Sequence, residues 1–166
     1  MNAYASIVAH PRDALKEGLE RVRAGMLGVD GSSQHMQPMT HFPDWDANRI
    51  WFLTSKDTDL VRSLKAGSPA KFCVTDQEHG FDTCIKGHLT EDLNRAKLDE
   101  YWSPVAGAWF QGGKDDPKLT MLRLDLVDAA LWGSSDSLVK FGFEILKANM
   151  NEDETPDIGA HTILRF

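Results

Sequence analysis

The pattern of apolar and polar positions predicts that the chain begins with a helix and then a hairpin. Apolar residues recur at helical spacing after Pro11, which predicts an N-terminal helix over residues 11–24. The stretch MLGVDGSS then predicts a strand that ends in an Asp30-Gly31 turn. QHMQPMTHF has the pattern of its antiparallel partner, in which Pro38 favours an edge position or a bulge.

The remaining pattern predicts further strands with helices between them. IWFLT leads into a helix, AKFCV and FDTCIKGHL flank a polar turn, and KLTMLRLDLVDAALW alternates over the longest strand. Residues 134–149 have a helical pattern, and HTILRF indicates a strand in the short tail. Short antiparallel strands with intervening helices predict a mainly β fold, a small barrel over about residues 25–132. We expect one domain over residues 1–166.

Two hydroxyl groups and an ammonium group occur where the predicted strand IWFLT leads into the helix that follows it. They belong to Thr54, Ser55 and Lys56. A helix N-terminus presents unpaired N–H groups and a partial positive charge, so these side chains are suited to an anion such as phosphate. Alternatively, Ser55 or Asp57 caps the helix and Lys56 is solvated. These residues alone leave both interpretations open.

Composition limits the classes of partner. The chain has 166 residues, 42% of them hydrophobic, and a net charge of -7. This acidic balance disfavours a nucleic-acid partner, because phosphate-backbone binding needs a basic surface. No secretory signal or long apolar run is visible, so we expect a cytoplasmic protein without a membrane partner. Cys73 and Cys84, the only cysteines, are expected to be plain thiols.

Four segments together resemble a known family. GMLGVDG, MQPMTHF, IWFLTSKDTDLVRSL and YWSPVAGAWFQGGKDDPKLTMLRLDLVDAALW follow one another in an order and spacing similar to the general stress proteins. These are flavin-binding split barrels related to pyridoxamine 5'-phosphate oxidase. The resemblance covers roughly residues 10–145, and its most specific part contains two tryptophans and GGKDDP.

The resemblance implies a fold, a cofactor and an assembly. It implies a six-stranded antiparallel split β-barrel that is usually a homodimer, with FMN, or FAD in some members, bound at the subunit interface. Carried over by position, Phe52, Leu53 and Thr54 would line the isoalloxazine ring. Ser55 and Lys56 would approach the phosphate.

One position departs from the family pattern. Gln37 stands before Pro-Met where similar sequences often have arginine. A guanidinium binds phosphate through two charged hydrogen bonds, and a glutamine amide cannot. We therefore expect a weaker flavin site, or one in which the anion depends more on Lys56. Lys118 and Lys86 are candidates for a compensating charge.

Three tryptophans are candidates for stacking on a flavin, because a planar aromatic can cover the ring and exclude water. Trp109 is included among the expected cofactor-binding residues. For Trp102 and Trp132, a place in the core or in a dimer seam is the favoured alternative. The exposed parts of these rings would also suit a subunit interface.

The sequence does not identify a catalytic residue or a metal site. No Ser-His-Asp or Cys-His arrangement follows from residue order, and we expect the six histidines to be ordinary polar residues. Because a flavin supplies redox chemistry itself, a flavin-dependent oxidoreductase acting on an unknown small substrate remains open. The alternatives are a non-catalytic flavin store or sensor and a haem-binding barrel.

Overall fold

The computed structural model describes residues 3–134 and 159–166. In these ranges the helices are α1 (Ala3–Ala9), α2 (Pro11–Arg21), α3 (Asp59–Ser63), α4 (Arg95–Tyr101) and α5 (Pro104–Gly107). The strands are β1 (Ala24–Val29), β2 (Gln37–Thr40), β3 (Phe42–Asp44), β4 (Arg49–Ser55), β5 (Ser68–Asp76), β6 (Phe81–Glu91), β7 (Leu119–Ser134) and β8 (Gly159–Arg165). Within residues 3–134 and 159–166, none of the helices has the length and hydropathy of a membrane span.

The sheet closes on itself through β2 and β3. The strand order is β2-β1-β5-β6-β7-β4-β3, and β8 pairs with β7 beside this path. Only His41 separates β2 from β3 in sequence, although they lie at the two ends of the path. One nearly continuous segment thus pairs antiparallel with β1 at one end and with β4 at the other. This arrangement confirms the predicted split-barrel fold.

The number of strands differs from the prediction. Six strands are expected from the sequence, and the described residues contain eight. Counting β2 and β3 as one broken strand and setting aside β8 leaves the six strands of the barrel. The interruption falls at His41, where the chain leaves its pairing with β1 and begins its pairing with β4.

The described residues belong to two compact units. The first comprises Met1–Val22, Val74–Cys84 and Ala129–Arg165, as far as these are described. Within it, α1 and α2 pack against β8. Its buried side chains include Ile7, Leu15, Leu19, Phe81 and Leu131.

A buried carboxylate in the first unit links α2 to the end of β5. Nε of Arg21 donates to Oδ2 of Asp76 at 2.8 Å. Nδ1 of His79 lies 2.9 Å from the same oxygen. Burial raises the pKa of Asp76, but the hydrogen bonds from Arg21 and His79 outweigh it and leave this pKa below the usual value.

The second unit comprises Arg23–Cys73, Ile85–Asp128 and Phe166. It contains a core cluster formed by Trp51, Leu98, Leu119 and Met121. Leu98 lies on α4, and the other three lie on β4 and β7, which pair antiparallel from Arg49 with Asp125 to Ser55 with Leu119. Half-buried apolar side chains surround the cluster: Phe42, Leu53, Tyr101, Trp102 and Phe110.

Most predicted elements are present, with different ends. The N-terminal helix stops at Arg21 rather than 24, because Val22 is extended and β1 begins at Ala24. The short helix α1 was not predicted. Ser134, the predicted start of the last helix, is the final residue of β7, and residues 135–149 lie outside the described ranges.

Candidate functional site

A cavity of about 890 Å³ opens in the second unit. This volume lies within the range of about 300–1,000 Å³ that small-molecule sites occupy. The lining residues come from β2 to β4, from the N-cap of α3, from the segment after α4, and from the residues that flank β1 and β7. They are Arg23, Gln37, Pro38, Met39, Thr40, Phe42, Leu53, Thr54, Ser55, Thr58, Ser103, Val105, Ala106, Trp109, Phe110, Asp116 and Lys118.

The end of β4 forms one wall of the cavity. Leu53, Thr54 and Ser55 contribute to this wall, and β7 holds them in register. The N–H of Lys56 continues the ladder by donating to the carbonyl of Lys118 at 2.8 Å. This bond places the carbonyl of Lys118 beside Lys56, just before β7 begins.

The strand β2 and the residue before β1 supply a further part of the lining. Four consecutive β2 residues, Gln37 to Thr40, reach the cavity. Arg23 immediately precedes Ala24, which pairs with Thr40. The start of β1 thus carries a cationic side chain into the same cavity as Gln37.

The segment after α4 provides an apolar part of the lining. Ser103 caps α5, where its Oγ accepts the N–H of Ala106 at 3.2 Å, and Pro104 occupies the first turn. The chain then leads to Trp109 and Phe110. Trp109 is 81% exposed, although it lines the cavity.

Aromatic contacts attach this segment to the core. The ring of Phe42 stacks on Tyr101, with centroids 4.9 Å apart and planes at 17°. The rings of Trp102 and Phe110 lie 6.4 Å apart. Because Phe42 and Phe110 both line the cavity, its apolar walls are extensions of the core cluster.

The carboxylate at the cavity is occupied by backbone hydrogen bonds. Oδ2 of Asp116 accepts the N–H of Gly112 at 3.0 Å, and Oδ1 accepts that of Lys118 at 2.9 Å. These two bonds lower the pKa of Asp116. The side chain is an ionised acceptor that shapes the turn, which makes it unsuited to donate a proton.

Five of the seven residues expected to bind the cofactor line this cavity. They are Gln37, Leu53, Thr54, Ser55 and Trp109. Phe52 is fully buried instead, with its ring 5.1 Å from that of Phe72. Lys56 is exposed and lies outside the lining. The contact of each residue with a cofactor stays a prediction.

At the joint between β4 and α3, Lys56 is exposed, as one of the two interpretations expected, but neither Ser55 nor Asp57 caps the helix. Thr58 caps the helix, because its Oγ1 accepts the N–H of Val61. Ser55 instead closes the preceding turn by accepting the N–H of Asp57 at 3.2 Å. The helix has only five residues, and its N-cap Thr58 itself lines the cavity.

The other two tryptophans lie outside the cavity lining. Trp102 is half-buried against the core cluster. Trp132, in the first unit, stacks on His161 with centroids 5.2 Å apart.

Sequence reasoning missed several lining residues, chiefly Arg23, Phe42, Phe110 and Asp116. Lys118 was named only as a candidate charge. Arg23 could have been found from the predicted hairpin, because it directly precedes a strand whose partner carries Gln37. Nothing local in the sequence indicates that Phe42 lies here.

Comparison with known proteins identifies the family. A family model described as pyridoxamine 5'-phosphate oxidase like matches residues 10–157. No curated protein matches the chain.

Solved structures of similar sequence share the fold. A crystal structure from Jannaschia sp., assigned to general stress protein 26, is 39% identical over 90% of this chain and 94% of its own, with a TM-score of 0.70. One from Xanthomonas campestris, assigned to the general stress family, is 39% identical over 78% and 90%, also at 0.70. A third, the general stress FMN/FAD binding protein from Xanthomonas citri, is 38% identical over 75% and 94%, at 0.66.

The family model matches most of the chain. Each of the three structures is more than one third identical to the chain in sequence, over at least three quarters of the length of the chain. The chain therefore belongs to the pyridoxamine 5'-phosphate oxidase-like family, among its general stress proteins.

Proposed function

We propose that this protein binds a flavin, with FMN as its ligand, in the cavity of the second unit. The observation that carries the proposal is the combination of aromatic walls and cationic side chains in one cavity of about 890 Å³. A phosphorylated flavin has matching chemistry, because a planar apolar ring system is joined to an anionic group. Similarity to the Xanthomonas citri FMN/FAD binding protein supports the same ligand class.

The aromatic and aliphatic side chains would hold the isoalloxazine ring. Phe42, Leu53 and Phe110 are half-buried and packed on the core, so they can offer a preorganised apolar surface. Trp109 is exposed and would lose accessible surface on binding a flavin. These contacts would also exclude water from one side of the ring.

Two cationic side chains, Arg23 and Lys118, are available for the phosphate. Nζ of Lys118 lies 3.2 Å from Oδ2 of Asp57, but both groups are largely exposed and water weakens their pairing. Within the described part of the chain, Arg23 makes no ion pair. Its uncompensated guanidinium could supply the charge that Gln37 lacks.

The lining favours binding and positioning over acid–base catalysis. A bound flavin would supply the redox chemistry, while the protein supplies orientation and a partly dry surface. Among the described lining residues there is no histidine or cysteine, and Asp116 is held ionised. Histidine and cysteine are also the common proximal haem ligands, so the lining disfavours the haem-binding alternative.

We further propose that a second copy of the chain closes the cavity. Trp109 and Val105 line it, yet they are 81% and 55% exposed. Apolar surface of this kind beside a cavity is typical of an interface. Equilibrium sedimentation of the flavin-loaded protein should report twice the chain mass of 18.5 kDa. A monomer that retains FMN with full affinity would contradict the homodimer.

Titration of flavin-free protein with FMN and with riboflavin tests the function. FMN should bind at least about tenfold more tightly, because only FMN offers the charged group to the two cations. Failure to bind either compound would overturn the proposal. Equal affinities would show that Arg23 and Lys118 do not bind the phosphate.

Reduction of bound FMN by NADH or NADPH under anaerobic conditions then distinguishes an oxidoreductase from a flavin store.

A further inference from the structure

Two crossed ion pairs join α4 to a 3₁₀ turn at Gly113–Asp115. Nη2 of Arg95 donates to Oδ1 of Asp115 at 2.5 Å, and Nζ of Lys114 donates to Oδ1 of Asp99 at 2.5 Å. Each element thus supplies one cation and one anion. Arg95 and Asp99 are four residues apart and share one face of α4. We call these four residues the clamp: Arg95, Asp99, Lys114 and Asp115.

The clamp also holds the backbone of the turn. Nη1 of Arg95 donates to the carbonyl oxygen of Lys114 at 2.7 Å. One guanidinium therefore binds a side chain and a main-chain group of adjacent residues, which fixes the position and the orientation of the turn. The ammonium of Lys114 in turn lowers the pKa of Asp99.

The residue after the clamp belongs to the cavity. Asp116 lines it, and the carboxylate of Asp116 binds the N–H groups of Gly112 and Lys118. Gly113 has φ of 62°, a conformation that glycine adopts without strain. A Cβ at Gly112 would lie 2.8 Å from Cα of Asp116. The segment 112–118 is therefore a tight, internally bonded unit that contains two residues of the clamp, Lys114 and Asp115, and ends at Lys118.

We propose that the clamp is a positioning device for the cavity, in which Arg95 acts through the segment 112–118 to place Lys118. This inference rests on the proposed flavin site. Neither Arg95 nor Asp115 lines the cavity, and their side chains are 57% and 83% exposed. Exposed ion pairs contribute little to global stability. The ion pairs of the clamp act instead on where the cationic side chain of Lys118 lies relative to a phosphate.

A charge reversal and its compensation test the clamp. Arg95→Asp should lower FMN affinity by about tenfold while leaving riboflavin affinity within about twofold, because only the phosphate meets Lys118. Arg95→Asp combined with Asp115→Arg restores the pairing with opposite polarity and should recover most of the FMN affinity. Arg165→Asp makes the same charge change at an exposed position of β8, outside the cavity lining, and should bind FMN as the parent does.

A second measurement needs no ligand. Asp115→Asn removes one charge of the clamp conservatively, and it should speed hydrogen exchange at the Lys118 amide, which the clamped segment protects. If the parent binds FMN and Arg95→Asp binds it equally well, the clamp has no positioning role and the proposal fails. If the parent does not bind FMN, the proposed function fails, while an unchanged exchange rate in Asp115→Asn would independently refute the clamp.

Discussion

Lys97 and Asp44 form an ion pair that joins α4 to β3 beside the cavity. Nζ of Lys97 lies 2.9 Å from Oδ2 of Asp44, and their side chains are only 25% and 16% exposed. Two residues before Asp44, Phe42 stacks on Tyr101 of the same helix. The pair therefore secures an apolar wall of the cavity to the core cluster.

Asp44→Asn should destabilise the protein at neutral pH. The hydrogen bond from Lys97 is the main cause of the lowered pKa of Asp44. A charged hydrogen bond is worth about 1.5–3 kcal/mol, so the free energy of unfolding should fall by about this amount. Urea denaturation at pH 7 measures the difference.

The stabilisation by the ion pair of Lys97 and Asp44 should depend on pH. The pKa of Asp44 in the folded protein lies below the unfolded value of 3.8. The ionised carboxylate therefore stabilises the folded protein above the unfolded pKa, and this stabilisation is lost as pH falls through the folded pKa. The difference between Asp44→Asn and the parent should therefore shrink in acid. Glu100→Gln, at a more exposed partner of Lys97, is the control and should change stability less. A difference that persists unchanged below the folded pKa would contradict this account.

Arg23→Gln should weaken FMN binding by about tenfold and riboflavin binding much less, since charge-assisted bonds to phosphate are lost. The matched control is Lys56→Gln, which removes the same charge at an exposed position outside the lining and should change FMN affinity by less than about twofold. Fluorescence titration at fixed salt measures both. A larger loss of FMN affinity in Lys56→Gln than in Arg23→Gln would show that the phosphate binds at the joint between β4 and α3 instead.

Trp109→Ala should lower flavin affinity without lowering the melting temperature. The ring is 81% exposed, so its loss leaves no cavity in the core. Removal of a stacking partner should cost about threefold to tenfold in affinity. Trp132→Ala, at a second exposed tryptophan that lies outside the lining, should leave affinity unchanged. Equal losses in both variants would argue against specific stacking by Trp109.

Gly18→Ala should destabilise the first unit, although alanine is the better helix former by about 1 kcal/mol. A Cβ at Gly18 would lie 2.3 Å from Cε1 of the buried Phe81 ring. Overpacking of this kind costs about 1–3 kcal/mol. Glu17→Ala, one residue earlier and exposed, is the control and should be nearly neutral in thermal unfolding. A stabilised Gly18→Ala would show that the ring yields to the methyl group.

Local pattern was sufficient for most of the fold. The alternation over Leu122, Leu124 and Leu126 identifies β7, and all three residues are buried. The Asp30-Gly31 turn identifies the first hairpin, with Gly31 at φ of 74°. The break at His41 was not predicted, because a change of pairing partner is a long-range event without a local sequence signal.

The candidate site could be predicted only in part. The resemblance placed Leu53, Thr54 and Ser55 at a site by their position in the family pattern, and all three line the cavity from one continuous strand end. It also included Phe52, whose side chain is fully buried, so the contact of Phe52 with a cofactor stays a prediction. The contribution of Arg23 depends on pairing between β1 and β2, so it becomes evident only when the strands are assembled.

The absorbance spectrum of the purified protein, with mass identification of the compound released on denaturation, tests flavin binding most directly. The account predicts flavin absorbance bands and a released compound with the mass of FMN, or uptake of FMN to a stoichiometric level by protein purified without it. A Soret band, or protein that neither carries nor takes up FMN, would contradict the account.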